Sequence, residues 1–195
     1  MITDPAGKSS GSLAAAVEAA CRGGAGVIQL RDKAASDAEI VRQAKELLAV
    51  TRRHGVPLIV NDRITAAKEA GADGIHLGQD DASLAEARAA LGPKAIIGRS
   101  THSPEQALAG EREGFDYIGV GPVFGTPTKP SYVPVGLELV RFAAANVKIP
   151  FTAIGGIDAS NAAEVRRAGA RTVAVVRAVM AAPDPEAAVR ELLKA

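Results

Sequence analysis

Three cations and two carboxylates stand where this chain could do chemistry. Arg31 and Lys33 close the apolar run 27–30, and Lys129 lies in the loop after the run 117–120. Asp62 follows the run 57–61, and Asp81 follows 74–77. Cations supplied from separate segments suit a substrate with more than one phosphate, because guanidinium and ammonium groups make charge-assisted hydrogen bonds to phosphate oxygens. The two carboxylates would repel the same phosphates, by up to about 4 kcal/mol at 4 Å and an effective dielectric near 20. A hard divalent cation between them reverses that sign. Mg²⁺ fits best, since it takes one or two carboxylates and fills its remaining positions with water and substrate phosphate oxygens. Read without chemistry, Asp62 caps the next helix and Asp81 starts another.

Other polar residues end other apolar runs: Gln29, Asn61, Ser100 with Thr101 and His102, the pair Gly155-Gly156, and Val176-Arg177. A glycine pair turning into a helix exposes backbone N–H groups suited to a phosphate monoester. The stretch 119–134, rich in Gly, Pro and Thr, has the length and composition of a lid or binding loop. Ser100 and His102 lie two apart with no evident acid partner, which argues against a Ser-His-Asp hydrolase. His54, His76 and His102 show no metal-ligand spacing, and His76 is expected inside a buried strand. Lys129 sits among Gly, Pro and Thr, not in a desolvated strand, so a Schiff-base role is disfavoured. Cys21 is expected to be a packed helix residue.

These residues need a frame that brings many chain segments to one rim. Short apolar, β-branched runs at 1–3, 27–30, 57–61, 74–77, 95–98, 117–120, 151–154 and 172–176 alternate with helical stretches. Each run is apolar nearly throughout, as in parallel strands covered on both faces. Ser36 with Glu39, Ser83 with Glu86, Ser103-Pro104-Glu105-Gln106 and Asp184-Pro185-Glu186 mark helix starts. Eight strands each followed by a helix predict an α/β fold, a compact single-domain (β/α)₈ TIM barrel over residues 1–195, with a slightly truncated first strand. In such a barrel the active site lies at the C-terminal strand ends, where the polar residues above converge.

Composition narrows the class further. The chain has 195 residues, 23 Lys and Arg against 22 Asp and Glu, and a net charge of +1, which gives no general attraction to nucleic acid or an anionic membrane. Hydrophobic residues make up 47% and aromatics 3%, so the expected core is aliphatic. One cysteine allows no internal disulfide and no thiolate metal cluster. No apolar run approaches the roughly 18 residues that span a bilayer, and the start MITDPAGKSSG has no secretory pattern. A cytoplasmic protein acting on small molecules is the expectation; the sequence is silent on subunit number.

Taken together, QLRDK at 29–33, NDR at 61–63, GIHLGQDD at 74–81, GRSTHS at 98–103, DYIGVGPVFGTPTKP at 116–130 and AIGGI at 153–157 resemble the thiamine phosphate synthase (thiamine-phosphate pyrophosphorylase) family, in order along nearly the whole chain. The resemblance implies a transferase of thiamine biosynthesis that joins 4-amino-5-hydroxymethyl-2-methylpyrimidine diphosphate to 4-methyl-5-(2-hydroxyethyl)thiazole phosphate. Pyrophosphate would leave first, and the thiazole nitrogen would trap the pyrimidine-methyl cation. It implies that Gln29, Arg31, Lys33, Asn61, Ser100 and Lys129 hold the pyrimidine diphosphate, with Arg31, Lys33, Ser100 and Lys129 as the catalytic set. It further implies that Asp62 and Asp81 hold one Mg²⁺ per site, and that Thr126, Thr128, Gly156, Val176 and Arg177 hold the thiazole phosphate. Arg177 stands where many members have Ser, and Arg99 where an apolar residue is more usual.

Two other readings share this frame. A related branch of similar sequence is a thiazole tautomerase, which lacks the full acidic and basic set and tends to carry His where this chain has Pro122. A barrel that only binds thiazole phosphate is the second. Asn61, Asp62, Asp81 and Lys129 together favour the synthase over both, since a monophosphate binder has no need of paired aspartates.

Overall fold

The computed structural model describes residues 1–4, 11–125 and 133–195. Strands β1 (Ile28–Leu30), β2 (Leu58–Asn61), β3 (Gly74–Leu77), β4 (Ile96–Thr101), β5 (Tyr117–Val120), β6 (Phe151–Ile154) and β7 (Val173–Ala174) form one parallel sheet in sequence order. Helix α1 (Leu13–Gly23) precedes β1. Helices α2 (Asp37–Arg53), α3 (Ile64–Ala70), α4 (Leu84–Leu91), α5 (Pro104–Glu113), α6 (Gly136–Asn146) and α7 (Ala162–Arg167) link the strands, and α8 (Arg177–Met180) and α9 (Pro185–Lys194) follow β7. None of the described helices is long and apolar enough to cross a membrane.

The expected first strand at 1–3 is a bridge, not a strand. Ile2 pairs in parallel with Gln29, Gln29 N–H donates to Met1 O at 2.9 Å, and Ile2 N–H donates to Val175 O at 2.9 Å. Residues 1–3 therefore join the two edges of the curled seven-stranded sheet. Two further boundaries differ from the sequence reading. The run 172–176 contributes only Val173–Ala174 to the sheet, and the run 95–98 continues to Thr101, so Arg99 and Ser100 lie within β4 and not after it.

The strands also alternate, although their sequences read as apolar throughout. Ile28, Leu30, Leu58, Val60, Ile75, Leu77, Ile97, Ile118 and Val120 point outward and are fully buried against the helices. Each such side chain contributes about 1.5–3 kcal/mol by leaving water. The inward positions carry Gln29, Asn61, His76, Ser100 and Tyr117, which line a cavity. With most strands of four residues or fewer, each contributes only one or two inward side chains, too few for a period of two to stand out.

Local capping largely follows the sequence. Ser36, Ser83, Ser103 and Asp184 each accept an N–H from their helix's first turn, and Ser83 with Glu86 completes a reciprocal box. Glu39 instead turns to Arg42 and Gln43, and Gln106 accepts from His102 N–H at 2.7 Å. Neither aspartate of the rim is a helix cap: the cap position of α3 is Arg63, without a side-chain bond, and that of α4 is Ser83. Cys21 is buried in α1, as expected.

Candidate active site

The sheet surrounds a cavity of about 1020 Å³. Gln29, Arg31, Asn61, Ser100, His102, Gly156, Val176 and Arg177 line it at the C-terminal strand ends. It continues past Tyr117 toward the opposite ends of the strands, where Val27, Ile96 and Pro150 form the wall. The polar side chains singled out from the sequence belong to the former end.

Inside the cavity a hydrogen-bonded chain crosses four strands. His76 meets Ser100 Oγ through Nε2 at 2.9 Å and the Tyr117 hydroxyl through Nδ1 at 2.8 Å. Gln29 also hydrogen-bonds the Tyr117 side chain. Burial pushes the Tyr117 phenol well above its ordinary value, the nearby Asp116 charge adds to this, and the Gln29 bond opposes it. The Tyr117 ring lies where a side chain at Gly98 would stand: a Cβ there would fall 2.1 Å from Tyr117 Cζ. His102, two residues on, donates from its Nδ1 to Gly121 O at 2.5 Å.

Sequence reasoning passed over His76 and Tyr117. The signal was available in the parallel register, since Asn61 faces His76 on β2–β3, and Gly98 faces Tyr117 on β4–β5. Residues opposite one another in a parallel pair share a face, so both belong with the inward set.

Asp62 sits one hydrogen bond outside the cavity wall. Asn61 Nδ2, which lines the wall, donates to Asp62 Oδ2 at 2.7 Å, and Lys33 Nζ donates to the same oxygen. Arg63 Nε lies 3.3 Å from Asp62 Oδ1, and its Nη1 reaches Asp37 at 2.5 Å. The Asp62 backbone has φ 51°, a left-handed conformation tolerated by Asp better than by most side chains. Its N–H donates to His76 O at 2.9 Å, which fixes the end of β2 against β3. Asp81 lies five residues after His76 on the loop leaving β3, where its Oδ2 accepts the Gly78 N–H at 2.6 Å. The two aspartates thus belong to neighbouring strand ends on one rim.

Across the cavity, the turn after β6 is set by Gly155 and Gly156, with φ of 103° and 64°. Asn161 Nδ2 donates to Gly156 O at 2.8 Å, a support the sequence reading did not include. Phe124 N–H donates to Gly155 O at 3.0 Å and brings the start of the loop after β5 onto this turn. Val176 and Arg177 line the cavity beside it, Arg177 exposed at the first position of α8. Thr126, Thr128 and Lys129 lie outside the described residues.

The donor set can be tested against a metal. Among the described residues no cluster of three or more His, Cys, Asp or Glu could enclose an ion. Zinc-like closure by protein ligands is therefore not provided there. Two carboxylates on adjacent strand ends, with cations beside them for phosphate, match the way Mg²⁺ is held through a phosphorylated substrate. The residues present fit that ion.

The sequence profile of the family described as thiamine monophosphate synthase (TMP-TENI) matches residues 1–179. The chain is 51% identical over 194 residues to the thiamine-phosphate synthase of Chloroflexus aurantiacus, covering 98% of this chain and 89% of that one. It is 49% identical over 182 residues to the thiamine-phosphate synthase of Synechocystis, covering 93% of this chain and 53% of the relative, so it spans about half the length of that protein. The solved thiamine phosphate pyrophosphorylase from Pyrococcus furiosus superposes with a TM-score of 0.89 at 40% identity, over 99% of this chain and 92% of the other.

Proposed function

The chain belongs to the thiamine monophosphate synthase family, and from that membership we propose that it condenses 4-amino-5-hydroxymethyl-2-methylpyrimidine diphosphate with 4-methyl-5-(2-hydroxyethyl)thiazole phosphate. The products are thiamine phosphate and pyrophosphate. The observation that carries the reading is a cavity of about 1020 Å³ whose wall runs from Gln29 and Asn61 to Gly156 and Arg177. It has room for two small substrates, and its polar rim offers opposite sides for two phosphorylated groups.

In this reading the pyrimidine lies against the inward chain of Gln29, His76 and Ser100, which supplies neutral hydrogen-bonding groups for a heteroaromatic ring. Arg31, Lys33 and Lys129 bind the diphosphate. The methylene carbon–oxygen bond breaks with its electron pair on the departing pyrophosphate. The thiazole nitrogen then donates its lone pair to the same carbon and forms the new carbon–nitrogen bond. Charge develops on phosphate oxygens, so fixed cations aimed there lower the barrier without covalent work by the protein. Asp62 and Asp81 would hold Mg²⁺, which when bound supplies further neutralisation of the leaving group. Lys33, paired with Asp62, is the cation nearest that carboxylate and can be shared with an arriving phosphate. The turn at Gly155-Gly156 and Arg177 position the thiazole phosphate. No general base is needed, which accords with a His76 whose two ring nitrogens are engaged with neutral hydroxyls.

Incubation of the purified protein with both substrates and Mg²⁺, assayed for thiamine phosphate and pyrophosphate, tests this directly. Equal amounts of both products are expected. Binding of thiazole phosphate with neither product formed would overturn the reading in favour of a binding protein.

A further inference from the structure

We propose that Arg99 is a positioning residue for Asp81, holding the turn 78–82 so that this carboxylate faces a metal–diphosphate complex; the inference rests on the reading of Asp81 as a metal ligand. On β4, Ser100 faces the cavity, while Arg99 shares the outward face with the buried Ile97. An arginine there would ordinarily be a poor fit to a helix-packed surface. Its guanidinium instead lies 5.4 Å from the centre of the Phe115 ring and donates to two carbonyls of one loop, Gln79 O at 3.0 Å and Ala82 O at 3.4 Å. Those carbonyls flank Asp81. The same loop is tied to β4 a second time, by Gln79 Nε2 donating to Ser100 O at 2.5 Å. Within the loop, Asp81 Oδ2 accepts from Gly78 N–H. Two successive residues of β4 thus grip the Asp81 turn, one by its side chain from the outer face and one by its carbonyl.

The planar fork of Arg reaches both carbonyls at once, which an apolar residue cannot do and a lysine ammonium does only singly. Loss of such an outer partner typically costs roughly 10–100-fold in metal affinity or activity, and a residue that only holds the Asp81 turn is expected to act on the former.

The test uses Arg99→Met, which keeps the stem over Phe115, and Arg99→Lys, alongside Asp81→Ala and the double variant Arg99→Met with Asp81→Ala. Mn²⁺ binding in the presence of inorganic pyrophosphate, followed by electron paramagnetic resonance, reads the site without turnover. Arg99→Met is expected to weaken Mn²⁺ binding about tenfold, with Arg99→Lys intermediate. The Mg²⁺ concentration for half-maximal product formation should rise by the same factor, while kcat at saturating Mg²⁺ stays near wild type. Amide hydrogen exchange at 78–82 should accelerate in Arg99→Met. The double variant should bind Mn²⁺ no more weakly than Asp81→Ala alone, because Arg99 acts through that carboxylate.

Losses that multiply in the double variant, unchanged Mn²⁺ binding in Arg99→Met, or a wild-type protein that binds no Mn²⁺ with pyrophosphate would each overturn the proposal. A wild-type protein that makes no thiamine phosphate, yet shows the Arg99 effect on Mn²⁺, would overturn the proposed reaction and leave the role of Arg99 standing.

Discussion

His76 joins two hydroxyls that come from different strands: Ser100 Oγ on β4 at 2.9 Å and the Tyr117 hydroxyl on β5 at 2.8 Å. His76 is 9% exposed, so removing it takes a partner from Ser100 Oγ in a largely buried position and leaves Tyr117 only its bond to Gln29. A group stranded in this way costs about 1–3 kcal/mol. His76→Leu should therefore lower the unfolding free energy by about that amount, read from urea transitions. It should also reduce kcat/KM for the pyrimidine diphosphate about tenfold, the equivalent of one misplaced hydrogen bond. A variant unchanged in both measurements would remove His76 from the site.

Tyr117 makes the same chain sensitive to alkali. Burial, followed by the Asp116 charge, raises its phenol above the ordinary value of 10.0. A group whose folded state holds its proton more tightly than the unfolded state loses stability as pH climbs past the unfolded value. Below pH 10 both states carry the proton and there is no dependence. Above it the unfolded chain releases the proton while the folded protein keeps it, and stability falls. The stability difference between wild type and Tyr117→Phe should be flat from pH 7 to 9 and shrink progressively above pH 10. Denaturant unfolding across that range checks the sign.

Asp62 is held by Asn61, Lys33 and Arg63 in a left-handed backbone conformation at φ 51°. Asn tolerates that conformation, so Asp62→Asn removes the charge without disturbing the backbone. Activity with Mg²⁺ should drop by at least the roughly 100-fold that loss of an outer metal partner can cost. Stability should change by about 1 kcal/mol, because the Asp62 side chain is only 10% exposed but its Lys33 partner is 56% exposed and Asn keeps an oxygen that accepts from Asn61. Turnover that persists with an unchanged Mg²⁺ requirement would show that Asp62 is not a ligand.

The legible and illegible parts of this sequence divide along a physical line. Seven of the strand positions could be read because the outward residues, such as Ile75, Leu77 and Ile118, must all be apolar to meet the helices. The rim could be read because Asn61 ends one of those runs, Asp62 follows it, and Asp81 lies four residues past another. The inner network could not. His76 looks like one polar residue inside an apolar stretch, and only the register beside Asn61 and Gly98 shows that its face is polar. The run 1–3 could be read as a short first strand, but not its narrowing to a bridge between Gln29 and Val175, which lie at opposite edges of the sheet. Contacts fixed by how far a sheet curls have no local signature.

Gly156 offers the sharpest separation of the two substrate ends. Its φ is 64°, and a Cβ there would lie 2.7 Å from both Gly125 O and Phe124 Cβ. Alanine would incur about 1–2 kcal/mol for the left-handed backbone and would also push residues 124–125 off the turn. The pyrimidine side, built from Gln29, His76 and Ser100 on other strands, is untouched. Gly156→Ala should therefore raise KM for the thiazole phosphate about tenfold or more, while KM for the pyrimidine diphosphate stays near wild type. Steady-state kinetics with each substrate varied in turn make the comparison. Equal increases in both constants would mean that the turn serves the barrel as a whole, and the thiazole phosphate would then have to be placed elsewhere.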